Sequence, residues 1–257
     1  MEFPRSLRNF FWLLYILTLR ELKGRYKSAA LGFAWAFINP LLFLLVLSVV
    51  FSLFIKIDIE NYQFFLLSGI LPWTFFAAAI SSGTSSLVNN RELIKKTYFR
   101  REAIPLASVL ASLLNFLISL LIFIGLFIIL KFSISSGAYL LPLAILLEAI
   151  LITGIVLLTS SLDIYYRDVT FIISAAVLIW FYLTPIFYPI NFVPEKFLFA
   201  YKLNPMVGII SLYRTLLLGA NYFDIEAILI SVAETFVFII IGFAVFKKRE
   251  KYFADWI

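Results

Sequence analysis

Few side chains in this sequence can do covalent or metal chemistry. Its 257 residues include no Cys and no His, which excludes disulfides, thiol nucleophiles, imidazole acid–base relays and the usual zinc sites. No glycine-rich phosphate loop closing on Lys and a hydroxyl residue is present, so the chain lacks the P-loop route to ATP hydrolysis. No catalytic residue and no metal ligand are expected. Two acids, Glu148 and Glu234, stand inside long apolar runs, and an intramembrane carboxylate is a functional position by default, for instance in a proton relay. With no second acid or base beside either of them, interhelical hydrogen bonding or a place in a wet cavity is the better reading. Ser108, Ser112, Asn115 and Ser119 recur at helical spacing and share one face of a helix. A second small, polar patch runs from Ser81 to Ser86. Both patches suit close helix packing, with the polar wall of a lumen as the alternative.

The elements that must position these residues follow from composition. Hydrophobic residues make up 63% of the chain and charged residues 14%, too apolar for a soluble domain of this length. We expect an all-α integral membrane protein, a single transmembrane domain over residues 1–257. In such a chain the net charge of +6 reports orientation in the bilayer rather than nucleic-acid binding. Stretches long enough for spans of about 20 residues fall at 28–55, 61–88, 103–130, 138–162, 169–191 and 227–246. Ahead of these six, residues 1–27 place Phe3, Leu7, Phe10, Leu14 and Thr18 at helical spacing, with Arg5, Arg8 and Asn9 elsewhere on the wheel. That pattern predicts an amphipathic helix lying in the membrane interface. A short seventh span is the alternative, although the apolar run from Phe10 to Leu19 is too short for the hydrocarbon core. Lys and Arg total 16 on one set of alternate connections and 5 on the other, which puts both termini in the cytoplasm.

Two connections are more than links. Residues 89–102 open on Asn89 and Asn90, which can cap a helix, and carry Leu93, Ile94, Thr97 and Tyr98 on one helical face amid basic residues. Such a helix suits docking in a groove of a soluble partner, or adhesion to acidic lipid heads. The connection at 192–222 is too apolar for a solvated loop. Pro194, Asn204-Pro205 and Gly219 divide it into two short helices, and a re-entrant helical pair on the outer side, between spans five and six, is expected.

These residues, taken in order, resemble a known family over the whole chain. The pattern comprises Arg25-Tyr26-Lys27, Leu31-Gly32, Trp35 and Asn39-Pro40, then Gly69 with Pro72-Trp73. It continues through Asn90, Leu93, Lys95, Phe99, Arg100 and Pro105, the turn Tyr166-Arg167-Asp168, and Pro185 with Tyr188. Asn204-Pro205, Tyr213-Arg214, Gly219 and a tail of Glu250, Phe253 and Asp255 complete it. The chain is similar to the transmembrane permeases of type-2 ABC exporters for lipid-linked polysaccharide, in particular O-antigen export permeases of the Wzm type, with capsule and teichoic-acid export permeases as relatives. One departure is Thr184 before Pro185, where many relatives carry Ser; a hydroxyl is kept.

The resemblance implies a permease of the bacterial inner membrane that binds no cofactor itself, with ATP and Mg held by two separate cytoplasmic P-loop ATPase subunits. It makes Asn90, Arg91, Leu93, Lys95, Tyr98, Phe99 and Arg100 the main ATPase-coupling contact, and Tyr166, Arg167 and Asp168 a smaller one. A homodimer is expected, because six spans can hardly enclose a conduit for a sugar chain and twelve can. The implied substrate is a polysaccharide on undecaprenyl diphosphate, with other polymers or small molecules as alternative cargo. Arg20, Lys23, Arg25 and Lys27, shaped by Leu31-Gly32, are candidates for receiving the diphosphate, or they simply obey the positive-inside rule. Aromatic rings can stack on the apolar faces of sugars. Phe33, Phe37, Trp73, Trp180, Phe181, Tyr182, Phe187 and Tyr188 are candidates for that surface, or belong to lipid-facing belts.

Overall fold

The computed structural model of the protein describes residues 3–26, 62–132 and 135–257, with isolated positions between 34 and 50. Most of the expected first span at 28–55 lies outside the described residues, and Lys27, Leu31, Gly32, Phe33 and Phe37 lie outside them altogether. Among the described residues every regular element is helical.

Helix α1 (Phe3–Tyr26) is the expected amphipathic helix. It buries Leu17 and Thr18 against the bundle and leaves Phe11, Trp12 and Tyr15 more than 60% exposed. An aromatic face flanked by the exposed Arg8 and Arg20 is what a helix in a membrane interface presents. Helix α2 (Tyr62–Thr84) runs through the centre of the bundle, with residues 64–73 buried without interruption. It ends earlier than the expected span at 61–88. Ser85 breaks it, and two short helices follow, α3 (Ser86–Asn89) and α4 (Arg91–Lys96). Helix α5 (Ala103–Ile129) and helix α6 (Leu141–Asp163) pack against α2. The chain then forms α7 (Asp168–Tyr182), α8 (Glu195–Lys202), α9 (Pro205–Leu218), α10 (Ile225–Arg249) and a short α11 (Phe253–Trp256).

Four of these helices are long and apolar enough to cross a membrane: α2, α5, α6 with the turn before it, and α10 with its tail. The stretch expected as a fifth span, 169–191, is different. Helix α7 stops at Tyr182 after 15 residues, about 22 Å of helix against a hydrocarbon core of about 30 Å. Proline 185 is the reason, since it donates no hydrogen bond and drives Thr184 out of helical geometry. The carbonyls left open there are met from α9 and its cap. Asn204 Nδ2 donates to Leu183 O at 3.2 Å, and Arg214 donates to Pro185 O and Ile186 O, both at 2.7 Å. Irregular backbone at membrane depth persists only where protein satisfies it in this way.

The last helix is held by small residues. Gly154 of α6 and Gly242 of α10 face each other so closely that a Cβ on Gly242 would overlap the Gly154 carbonyl, and one on Gly154 would come within 2.6 Å of the α10 backbone. Lipid tails supply no hydrophobic drive for helix association, so close backbone approach and dispersion take its place. Gly242→Leu should therefore cost at least about 1–3 kcal/mol and lower the melting temperature of the purified protein in detergent. Gly24→Ala, with open space around it, should leave that temperature unchanged or raise it.

Candidate functional site

The site begins where α1, the C-terminal segment and the connections at 85–102 and 164–167 meet, at one end of the bundle. Leu87, Ile94, Ala103, Ile164, Phe246 and Phe253 are buried there in a single cluster, with Leu17 of α1. The segment expected as one helix over 89–102 is shorter than its pattern implied. Only Arg91–Lys96 is helical; Thr97 is extended at φ −136° and ψ 136°. Ile94 turns inward to this cluster at 2% exposure, while Tyr98 is fully exposed. The apolar stripe is thus divided between the chain's own core and the surface. Arg91, Lys95 and Arg100 lie exposed, and Asn90, Leu93 and Phe99 are half-buried. Tyr166, Arg167 and Asp168 are exposed on the neighbouring turn before α7.

Helix α1 is bonded to this end. Arg20 donates to Asn90 Oδ1, and the Arg100 guanidinium lies 4.6 Å from the centre of the Phe10 ring. Arg25 donates to Ser82 Oγ at 3.0 Å and Ser112 Oγ at 3.1 Å, with Glu21 at 3.6 Å. Lys23 is exposed. The structure therefore brings Arg25 against both polar patches read from the sequence. Otherwise those patches behave as helix packing. Ser108, Ser112 and Ser119 are buried, and Ser112 and Ser119 donate back to Ser108 O and Asn115 O. Asn115 is half-buried.

Side chains that sequence reasoning passed over complete this end. Glu102, 4% exposed, accepts from Arg100 at 2.7 Å and from Lys247 at 3.2 Å. Burial pushes the Glu102 carboxyl up, but a bond to its own backbone and the Lys247 and Arg100 cations outweigh that and hold it below its ordinary value. Arg101 donates to the Glu250 carbonyl. Partners so far apart in the chain leave no local pattern; the tail's mixture of charge and buried aromatic was the one signal available.

At the opposite end a cavity of about 930 Å³ is lined by Trp180, Phe187, Tyr188, Phe192, Phe197 and Tyr201 among others. The Trp180 indole N–H donates to Asn204 Oδ1 at 2.6 Å, and the Tyr188 and Tyr201 hydroxyls bond to each other. Because α7 has ended, Trp180 and Phe187 meet through this fold-back rather than along one helical face. Of the eight aromatic candidates, the three named here line the cavity. Trp73 does not: it is 5% exposed in the core, against Phe76 and Phe181. Phe181 packs between Trp73 and Phe187, and Tyr182 faces outward at 66% exposure. Phe192, Phe197 and Tyr201 belong to the apolar connection whose density of rings was visible but whose cavity was not. Lys202 anchors this layer to α10 through Glu226 at 2.7 Å and Asp224 at 3.0 Å. Burial pulls the Lys202 ammonium down, and the two carboxylates more than reverse that. Between the two ends, the buried Tyr213 hydroxyl donates to Glu148 Oε2 at 2.8 Å, so Glu148 is an interhelical acceptor joining α6 to α9.

The chain is similar to known membrane proteins over its whole length. It is 33% identical to the O-antigen export system permease protein RfbA of Klebsiella pneumoniae, covering 99% of this chain and 98% of that protein. The RfbA protein of Myxococcus xanthus is 29% identical over 98% of this chain and 97% of its own length. The polysialic acid transport protein KpsM of Escherichia coli is 23% identical over 91% of this chain and 92% of its own length. The family model described as ABC-2 type transporter matches residues 13–218, and the chain belongs to that family.

Proposed function

We propose that this chain is the permease subunit of an ATP-driven exporter that moves a lipid-linked, O-antigen-like polysaccharide outward across the bacterial inner membrane. The observation that carries this reading is identity of 33% to an O-antigen export permease across 99% of the chain. A capsule-type polymer is the second reading; the full-length but lower identity of 23% to a polysialic acid transporter favours it less. In this account six segments cross the membrane, α7 being completed by the irregular stretch after Tyr182, both termini are cytoplasmic and α8 with α9 form an outer re-entrant pair. Two copies enclose the conduit and two P-loop ATPase subunits drive it, contacting Arg91–Lys96 and the Tyr166–Asp168 turn.

The substrate's diphosphate is the hard part of the passage, because burying its charges unpaired costs several kcal/mol each. Arg25 is suited to receive it. Its guanidinium bonds two neutral hydroxyls, Ser82 and Ser112, and pairs with Glu21 only at 3.6 Å; phosphate oxygens in place of the hydroxyls would make stronger, charge-assisted bonds. The undecaprenyl carrier would stay in lipid beside the exposed aromatic face of α1. At the outer end the sugar chain would slide over the rings of the cavity, where stacking on apolar C–H faces holds without trapping. Trp180 is fixed in orientation by its bond to Asn204, which makes it the anchor of that surface.

Deleting the gene should abolish surface polymer and leave lipid-linked polymer inside the cell, with both restored by the wild-type chain; unchanged surface polymer would refute the reading. Arg25→Ala, measured at equal membrane levels, should weaken stimulation of ATPase by lipid-linked substrate by about tenfold or more, the worth of a hydrogen bond between charged groups. Trp180→Ala should slow polymer export by up to about tenfold while sparing ATPase turnover; equal loss of both would argue against a sugar track.

A further inference from the structure

The short helix that the proposed function places against the ATPase cannot hold its own position. Arg91–Lys96 is six residues long, below the length at which a helix is stable alone, and it sinks one side chain, Ile94, into the bundle. Something outside it must fix where it sits. The C-terminal segment meets it and its flanks on several sides. Phe253 is fully buried, edge-on to Phe246 with ring centres 5.3 Å apart, in the cluster that holds Ile94 and Ala103. Lys247 bridges Glu102 at 3.2 Å and Glu250 at 3.1 Å, and Arg101 donates to the Glu250 carbonyl. The same segment grips the second connection. Tyr165 packs on Trp256 with ring centres 5.3 Å apart, donates to the Arg249 carbonyl at 3.4 Å and lies under the Arg249 guanidinium at 5.0 Å.

We infer that residues Lys247 to Trp256 are a positioning element that ties both ATPase-facing connections to the last membrane helix. The inference rests on the proposed function, which supplies the ATPase. Its content is mechanical. A push on α4 reaches Glu102 and Lys247, and through Lys247 it moves α10, whose Gly242 is locked against Gly154 of α6. The other connection is drawn along by Tyr165 and Arg249. Lys247, Glu102 and Phe253 touch neither substrate nor nucleotide in this scheme; they set the geometry through which ATPase motion becomes helix motion.

The test is the ratio of polymer exported to ATP hydrolysed, measured with the full chain and its ATPase reconstituted in lipid vesicles. Lys247→Met, which removes the bridge, and Glu102→Gln, which keeps bulk but takes the charge from the pairs with both Lys247 and Arg100, should each lower the ratio roughly tenfold while leaving ATPase turnover within about twofold, as expected for weakening a hydrogen bond between charged groups. The double variant should be no worse than the poorer single one, because the two residues act as a unit. Lys247→Arg should keep the wild-type ratio, which a role in bulk packing alone would not require. Phe253→Ala is the harsher version, and the charge variants stand without it if it fails to fold. A wild-type ratio in both charge variants, or ATPase and export falling in proportion, overturns the inference. If the wild-type complex hydrolyses ATP without exporting polymer, the proposed function falls and this inference with it; if the wild type couples and the variants couple equally well, only this inference falls.

Discussion

Hydrocarbon offers a polar group nothing to bond with, and the described part of this protein is arranged around that deficit. Lys and Arg gather at the two ends of the bundle, and hydroxyl groups left between them bond within the chain, while Asn115 Oδ1, Glu148 Oε1 and Glu234 Oε2 are buried with no hydrogen-bond partner among the described residues. Tyr213 donates to Glu148, and the hydroxyls of Ser112, Thr153 and Thr235 return to carbonyls one turn back in their own helices. Where the backbone itself breaks, at Pro185, the same rule brings in Arg214. Its guanidinium serves two carbonyls and lies 3.6 Å from the centre of the Phe65 ring. The absence of a side chain at Gly69 leaves room for it: a Cβ there would sit 3.0 Å from Arg214 Nη2. One proline therefore accounts for a glycine on α2, an arginine on α9 and the cap at Asn204.

The two ends differ in kind as a result. The end that holds the cavity is built from rings and a fold-back, and the few hydroxyl and amide groups of that apolar cavity are bonded to one another. The basic end is built from charges crossing between elements remote in sequence, over a small apolar cluster. A polymer that must slide needs contacts of the first sort, individually weak and replaceable. A joint that transmits force needs the second, in which geometry is fixed by directional, charge-assisted bonds. The glycine contact between α6 and α10 lies between these regions and brings the two helix backbones into direct contact.

Much of this was legible in the sequence because membrane burial writes a long, strong signal. Helices α2, α5, α6 and α10 sit where charge-free stretches placed them, and the amphipathic wheel of α1 and the pair of short helices after Pro194 were readable from spacing and punctuation. The failures share a cause. Helix α7 ends at Tyr182 although its apolar run continues, because hydropathy does not register a helix end that Asn204 and Arg214 make tolerable from a distance. Trp73 is a candidate for the sugar-contacting surface or a lipid-facing belt by sequence and is core in the structure, since period and composition say nothing about which neighbour covers a face. Ile94 belonged to an apolar stripe suited to a partner groove or to lipid heads, and it is buried in its own chain. The contacts of Glu102 with Lys247 and of Arg101 with Glu250 link positions 145 and 149 residues apart, and no window of sequence contains both members.

The central claim is that this chain passes a lipid-linked glycan across a bilayer when an ATPase works on its basic end. Reconstitution of the chain with its P-loop ATPase in vesicles loaded with a fluorescently tagged, lipid-linked glycan on the ATPase-facing leaflet measures that directly, by the rate at which the tag becomes protected from an impermeant quencher added on that side. The account predicts protection that requires ATP, requires the ATPase, and stops when the nucleotide is replaced by a non-hydrolysable analogue. Tag that stays fully quenchable during sustained ATP hydrolysis, or that crosses at the same rate without the ATPase, would contradict it.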